Sequence, residues 1–333
     1  MNRFIKPGKK MVRVTIKDIA ARAGVTPSVV SNVLTGRNCA RCSAKKRQEI
    51  LDAVRETNYR PNRAAQGLVK KKSKLVGLLS YSPRDPAAAR IIAEVHDQLS
   101  RRAYGVICGF WNNLDNVENA FESVLSYPLD GIICLHDSLS ELIPEGLPAV
   151  YGSAELPGKN CVLMDRPGYF EDAGKFLREL RHEKIGFFGS NHPLPGRNFL
   201  DMVRRYGFVT KKEWCPMGSG FFDDALELGR RLFAQKELPS ALLCHNDLTA
   251  FAALKTAKEA GIRVPEELTV IGSDGLDGTL YCDPPLTTFR FQVDKYVERM
   301  LDKLFGSGEP GIEYIPMILE LRGSHARRMM NDE

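Results

Sequence analysis

The side chains best able to do covalent or metal chemistry are scattered along this chain. Eight cysteines stand at 39, 42, 108, 134, 161, 215, 244 and 282, and six histidines at 96, 136, 182, 192, 245 and 325. Cys39 and Cys42 form a C-x-x-C, half of a zinc or redox centre. A structural zinc needs four ligands, and no second C-x-x-C or H-x-x-x-H lies nearby. Free thiols in a reducing compartment are the simpler reading, with no metal and no cofactor. Neither G-x-S-x-G nor G-x-x-x-x-G-K-[ST] occurs, and Gly218-Ser219-Gly220 lacks the surroundings of a phosphate loop. Asp223-Asp224 reads as a solvated helix start. The chain is not expected to be an enzyme.

Charge is more telling. Residues 1–74 hold 19 lysines and arginines against 4 acids, whereas the remainder holds 28 against 37. A steep asymmetry of this kind points to a nucleic-acid-binding head on an acidic body. Hydrophobic residues make up 43% of the 333 positions and charged residues 26%, ordinary for a globular protein. No apolar run approaches the roughly 20 residues of a membrane span, and Met1 to Lys10 is basic without the apolar core of a secretory signal. A cytoplasmic protein without membrane partners is expected.

The elements that must position the basic side chains are helical. Ile16, Ile19, Ala20 and Ala23 share one helical face, Gly24 ends the helix and Val25 plugs the turn. Thr26-Pro27 supplies an N-cap residue and a first-turn proline. The helix that follows turns Val30, Val33 and Leu34 inward and leaves Ser28, Asn32 and Thr35 outward, up to Gly36. Two short helices joined at a glycine make a helix-turn-helix. A third helix runs from about Ser43 to Thr57, with Ile50, Leu51 and Val54 as its apolar stripe. Beyond lie Tyr59-Arg60-Pro61-Asn62 and the basic run Lys70-Lys71-Lys72-Ser73-Lys74.

From Leu75 strands and helices alternate. Leu75–Tyr81, Val106–Phe110 and Gly131–Leu135 read as strands, with helices at about 86–103 and 115–126. A second series from near 170 includes Ile185–Gly189, Ala241–Cys244 and Leu268–Gly272. Repeated βαβ units imply parallel sheets covered on both faces, with ligands beyond the carboxyl ends of the strands.

The segments Thr15–Ala20, Ala23–Thr26, Val30–Leu34 and Asn58–Asn62 closely resemble the head of the lactose-repressor (LacI/GalR) family. The resemblance implies that Pro27, Ser28 and Asn32 read bases in the major groove, Asn32 being suited to a bidentate contact with adenine. It places Thr26, Ser31, Thr35 and Asn38 on phosphates. It makes 62–69 a hinge helix in the minor groove, with Asn62, Arg63 and the wedge Leu68. Two features depart from the family: Gly67 costs that helix about 1 kcal/mol relative to alanine, and the loop Arg37 to Cys42 is longer. Met11 stands near the family's usual start, so residues 1–10 are a basic arm or an early start codon.

The body resembles the same family's periplasmic-binding-protein-like (type I) domain. The marks are Asp130–Ile133, His245-Asn246-Asp247, Gly261–Pro265, Gly272–Asp274 and Pro284–Thr288. The expected fold is an all-α helix-turn-helix head on an α/β body of two parallel-sheet subdomains. The expected domains are a basic arm at 1–12, the head at 13–60, hinge and linker at 61–74, and an effector domain at 75–329. Its N-subdomain is about 75–164 and 289–320, and its C-subdomain about 166–288 and 322–329, with crossings near 163–166, 287–291 and 319–322. The resemblance implies Arg197, Asn246, Asp247 and Asp274 as polar anchors. Tyr81, Phe110 and Trp111 end the first two strands, where a ring could stack, and Phe221 or Phe222 lines the opposite wall. Polar anchors around aromatic platforms suit a sugar or sugar derivative, with a nucleobase as the alternative. Arg166 stands where the family usually has asparagine, and the segment before Arg197 is proline-rich and shorter than usual.

The implied function is a regulator, a repressor by family habit, in which a homodimer holds two heads on a near-palindromic double-stranded operator under effector control. Such a protein would be bacterial and nucleoid-associated through its operator. The ending after Leu321 has no leucine heptad, so a coiled-coil tetramer is not expected. A solute-binding protein would share the body but not the basic head. A sequence-independent nucleoid protein would not need the body.

Overall fold

Thr15 starts the first helix, α1 (Ile16–Ala23), through a reciprocal capping box. Its backbone N–H donates to Asp18 Oδ2 at 2.7 Å, and the Asp18 N–H donates back to Thr15 Oγ1 at 3.4 Å; two of the helix's open N-terminal donors are thereby satisfied. Gly24 closes α1 in the left-handed conformation, φ 63°, where a Cβ would be strained. The second helix, α2 (Pro27–Leu34), begins with proline at its first position. Thr26 occupies the N-cap but makes no side-chain cap bond; its hydroxyl lies 2.8 Å from Ser28 Oγ. Ser43 caps α3 (Ala44–Thr57) by accepting from the Lys46 N–H at 3.2 Å. Ile19, Val30, Val33, Ile50 and Ala53 close a small core between the three helices, with Leu51 and Val54 only half-buried around it. Each fully buried isoleucine there contributes about 2 kcal/mol.

These features come from a computed structural model that describes residues 14–36, 42–60, 72–111, 117–136, 140–191, 193–306 and 310–328. The chain divides into two units, Met1–Lys74 and Leu75–Glu333.

The body contains two six-stranded sheets. The first takes β1 (Leu75–Tyr81), β2 (Gly105–Trp111), β3 (Gly131–Cys134), β4 (Ala149–Tyr151), β5 (Cys161–Met164) and β11 (Ile312–Ile315), in the order β11-β5-β4-β3-β1-β2. The second takes β6 (Ile185–Ser190), β7 (Met217–Gly218), β8 (Ala241–Cys244), β9 (Thr269–Asp274), β10 (Thr287–Phe291) and β12 (Met317–Glu320), in the order β12-β10-β9-β8-β6-β7. All pairings are parallel except β10 with β12. The helices are α4 (Pro86–Arg101), α5 (Val117–Leu125), α6 (Arg166–Glu179), α7 (Pro193–Tyr206), α8 (Phe222–Phe233), α9 (Asp247–Glu259) and α10 (Val293–Phe305). Among the described residues no helix is long and apolar enough to cross a membrane.

The chain passes between the sheets after β5, after β10 and at Pro316. The expected third crossing at 319–322 is therefore corrected. Met317–Glu320 pairs antiparallel with β10 in the second sheet, so the returning part of the N-subdomain ends at β11. One apolar core joins the halves: Phe289 and Phe291 of β10 and Tyr296, Val297 and Met300 of α10 pack with Val76 and Leu78 below and Phe187 above.

Candidate nucleic-acid interface and effector cleft

The head presents α2 as its reading edge. Val30 and Val33 are buried, which turns Pro27, Ser28 and Thr35 to solvent and leaves Ser31 and Asn32 half-exposed. The Asn32 amide forms no hydrogen bond with any described residue, so both its donor and its acceptor are available for a base edge. Thr35 Oγ1 donates to the Ser31 carbonyl at 2.9 Å, which ties that hydroxyl's proton to the helix end and leaves its oxygen outward. Arg22 pairs with Glu56, and Lys46 Nζ donates to the Ala23 carbonyl at 3.0 Å and to Glu49. These two cations therefore brace α1 against α3. Asn38, Asn62, Arg63 and Leu68 lie outside the described residues, as does Cys39.

The body places its candidate anchors at the carboxyl ends of the strands. Asp274 ends β9 with φ 130°, a conformation that costs a non-glycine residue about 1–3 kcal/mol and tends to mark functional sites. The strain is held in place from the other subdomain: Arg90 Nη1 of α4 donates to the carbonyls of Asp274 at 3.1 Å and Gly275 at 2.9 Å. Burial, then the Asp247 and Asp85 carboxylates, pushes the Asp274 carboxyl well above the usual range, while Arg166 pulls it back. Burial in turn lowers the Arg166 guanidinium from its ordinary value, opposed by Asp274. Arg166 makes no hydrogen bond or ion pair with any described residue, and Arg197, exposed on α7, is equally unengaged.

Asn246 caps α9 and spends its side chain locally. Its Oδ1 accepts from the Thr249 N–H at 2.9 Å and its Nδ2 donates to the Gly220 carbonyl at 2.8 Å. It thereby fixes the turn that displays Phe221, which is 48% exposed at the start of α8. Phe222 instead leans into the core of the C-subdomain, between α8 and α9, so Phe221 is the ring left on the wall.

Three expected contacts are corrected by the geometry. Asp247 is fully buried, with Thr288 Oγ1 donating to one carboxylate oxygen at 2.6 Å and the Leu276 N–H to the other at 2.7 Å. It is a strut under the Asp274 loop, not a ligand. Trp111 is 1% exposed, so it offers no open face; its ring packs under Tyr81, centroids 5.4 Å apart, and edge-on to His136 at 5.2 Å. Phe110, its neighbour in β2, points to the opposite sheet face because strand side chains alternate, and cannot share a ligand with the Tyr81–Trp111 pair. Tyr81, 48% exposed, is the remaining platform on that side. Sequence reasoning missed Arg90, Asp85 and His136. Their roles depend on contacts between distant segments that no local pattern announces.

With this geometry in hand, comparison with known proteins is direct. Residues 15–62 match the family described as bacterial regulatory proteins, lacI family, and residues 175–323 match the periplasmic binding protein-like domain. The chain is 30% identical over 308 residues to the HTH-type transcriptional repressor PurR of Mannheimia succiniciproducens, covering 87% of this chain and 91% of that one. It is 26% identical to the repressor CytR of Escherichia coli, covering 91% and 95%. Among solved structures, a lac repressor dimer bound to operator and the anti-inducer ONPF superposes with a TM-score of 0.83 at 22% identity, over 94% of this chain and 99% of that one. A reading head with the family's turn chemistry, a two-sheet body crossed three times, and full-length relatives at this identity lead to one conclusion: the chain belongs to the lacI family of bacterial regulatory proteins.

Proposed function

We propose that this protein is a transcriptional repressor that binds a near-palindromic operator as a homodimer and is switched by a small molecule held between the subdomains of its body. The observation that carries the DNA reading is the bare edge of α2. Its buried valines fix the helix against a rigid core, and the unengaged Asn32 amide and the Ser28 hydroxyl stand outward at successive turns. Thr26, Ser31 and Thr35 flank them at positions suited to phosphates, which set register without specifying sequence. The segment 62–69, with Asn62, Arg63 and Leu68, serves as the minor-groove hinge in this proposal.

Effector sensing is supported by polar side chains and exposed rings carried on the elements of both subdomains. Arg197 and the Asp274 carboxylate supply the polar groups, and Tyr81 and Phe221 supply ring faces. A polyhydroxylated ligand satisfies both kinds of group, whereas a flat nucleobase uses chiefly the rings. Dimerisation is assigned to the outer face of the C-subdomain. There Phe251, Leu254, Gly278, Tyr281 and Cys282, together with the charged Lys255, Lys258, Glu259 and Asp283, line a groove of about 590 Å3, in which Tyr281 is 83% exposed and beside which Leu280 is 56% exposed. An apolar patch of that kind favours burial against a second copy.

Selection of bound sequences from a random DNA pool by the full-length protein tests the reading. A palindrome with two equivalent half-sites is expected. Recovery of no preferred sequence by folded, dimeric protein refutes specific readout.

A further inference from the structure

We infer that the effector carries a carboxylate beside its hydroxyls, and that Arg166 is the residue that takes the carboxylate. This rests on the effector-sensing reading of the cleft and names the ligand class. Arg166 opens α6 directly after the chain leaves the first sheet at β5, at the first crossing between the subdomains. Its side chain is half-buried and satisfied by no described residue, an expensive position for a cation unless a partner arrives. One turn along α6, Tyr169 is 4% exposed and its hydroxyl is also without a hydrogen-bond partner among the described residues. Arg197, on the next helix, is engaged by no described residue.

Hydrogen bonding does not discharge the acids nearby, but they leave the Arg166 fork empty, because no carboxylate oxygen among the described residues reaches it. Asp247 is consumed by Thr288 and Leu276. Asp85 caps α4 through the Ala88 N–H at 2.8 Å. Arg90 is spent on main-chain carbonyls. What is left to meet a ligand is the Arg166 guanidinium, with the Asp274 carboxyl nearby for hydroxyls. A neutral sugar entering here would leave the guanidinium fork without a charged hydrogen-bond acceptor. A carboxylate presents two oxygens to the two parallel N–H groups of the guanidinium fork, the strongest polar match that fork makes.

The test is titration calorimetry on the full-length protein with D-glucuronate, D-galacturonate and D-gluconate, using D-glucose and hypoxanthine as uncharged probes. At least one acid is expected to bind more tightly than either uncharged probe. Arg166→Asn, which keeps hydrogen-bonding capacity but not charge, should weaken that acid by about 10- to 100-fold, and Arg166→Lys by less. Unchanged thermal unfolding of both variants, read by tryptophan fluorescence, shows that the loss is not a folding failure. Binding of uncharged probes alone, or an acid that binds Arg166→Asn as well as wild type, overturns the inference and leaves effector sensing standing. If no probe of either kind binds or alters operator occupancy, both readings fall.

Discussion

Replacing Asp247 separates a strut from a ligand. Its carboxylate is wholly buried and takes the Thr288 hydroxyl at 2.6 Å and the Leu276 N–H at 2.7 Å. Asp247→Ala removes both acceptors and leaves a buried N–H and a buried hydroxyl. Each orphan costs about 1–3 kcal/mol, so the variant should lose about 3–5 kcal/mol once the small cavity is included. Asp247→Asn behaves differently. Its amide oxygen can accept from Leu276 and its NH2 can donate to the Thr288 oxygen, since a hydroxyl serves in either direction. Charge assistance is lost, but so are the burial cost that raises the Asp247 carboxyl and its repulsion of Asp274, which helps to raise that carboxyl. The net change should stay within about 1 kcal/mol. The assay is urea unfolding by tryptophan fluorescence at fixed protein concentration. The chain's two tryptophans, Trp111 and Trp214, both lie in the body, so the signal reports that unit alone. With a slope of about 3 kcal/mol/M for a unit of this size, Asp247→Ala should lower the midpoint by about 1 M or more. Equal midpoints for the two variants, or wild-type stability of Asp247→Ala with loss of effector binding, would show that Asp247 faces the ligand after all.

Three further outcomes follow from the same geometry. Asn32→Ala should flatten base preference at one half-site position, a loss of about 1–3 kcal/mol of discrimination, and an unaltered motif from the same pool selection would reassign that position. His182, buried between Ser240 Oγ at 2.9 Å and Thr269 Oγ1 at 3.1 Å, is held down to about 4, first by burial. The folded state therefore binds fewer protons than the unfolded state between about pH 6.5 and 4. Its contribution is complete above pH 6.5 and is lost as pH falls through that window, so His182→Gln should flatten the body's stability over it; an unchanged slope refutes the assignment. Tyr281→Asp should shift sedimentation from dimer toward monomer and weaken operator binding more at low protein concentration than at high, whereas a dimer of unaltered strength would place the interface elsewhere.

The head was largely legible because its determinants are local. Gly24, Pro27 and Ser43 are signals readable within one turn of the residue concerned, and the valines of α2 announce its buried face. Six of the body's strands, β1, β2, β3, β6, β8 and β9, were legible as short apolar runs; β4, β5, β7, β10, β11 and β12, none longer than five residues, were not read as strands. The third crossing was misplaced because Ile312–Ile315 and Met317–Glu320 are both short apolar stretches. Only Pro316 separates them, and nothing in their composition tells which sheet each will join. At the cleft, reading by strand end alone put Phe110 and Trp111 together. Alternation along β2 forbids it, and that alternation was visible in principle. Burial of Asp247 was not visible, because it depends on Thr288 and Leu276 arriving from β10 and the loop after β9. Arg90 was invisible for the same reason: its partners lie 184 and 185 residues away.

The segment Asp274–Leu276 connects ligand chemistry to subdomain geometry. It is held by Asp247 from within the C-subdomain through the Leu276 N–H. Gly275 packs so tightly on Arg290 that an added Cβ would lie 2.4 Å from the Arg290 Cγ, which couples the segment to β10, one of the crossings. Arg90 holds its carbonyls from the N-subdomain. Separating the halves at this point breaks two hydrogen bonds from a cationic donor, each worth about 1.5–3 kcal/mol, and releases the strained φ of Asp274. A ligand can shift the balance between arrangements only through contacts that differ between them. In the proposed reading, a molecule gripped by Asp274 on one side and stacked on Tyr81 on the other would do so directly, because its two anchors belong to the two subdomains that Arg90 ties together. It adds to the Arg90 contact when it spans the gap and opposes it when it is too large to let that contact form. An effector held by those two groups would therefore favour whichever arrangement its dimensions fit better.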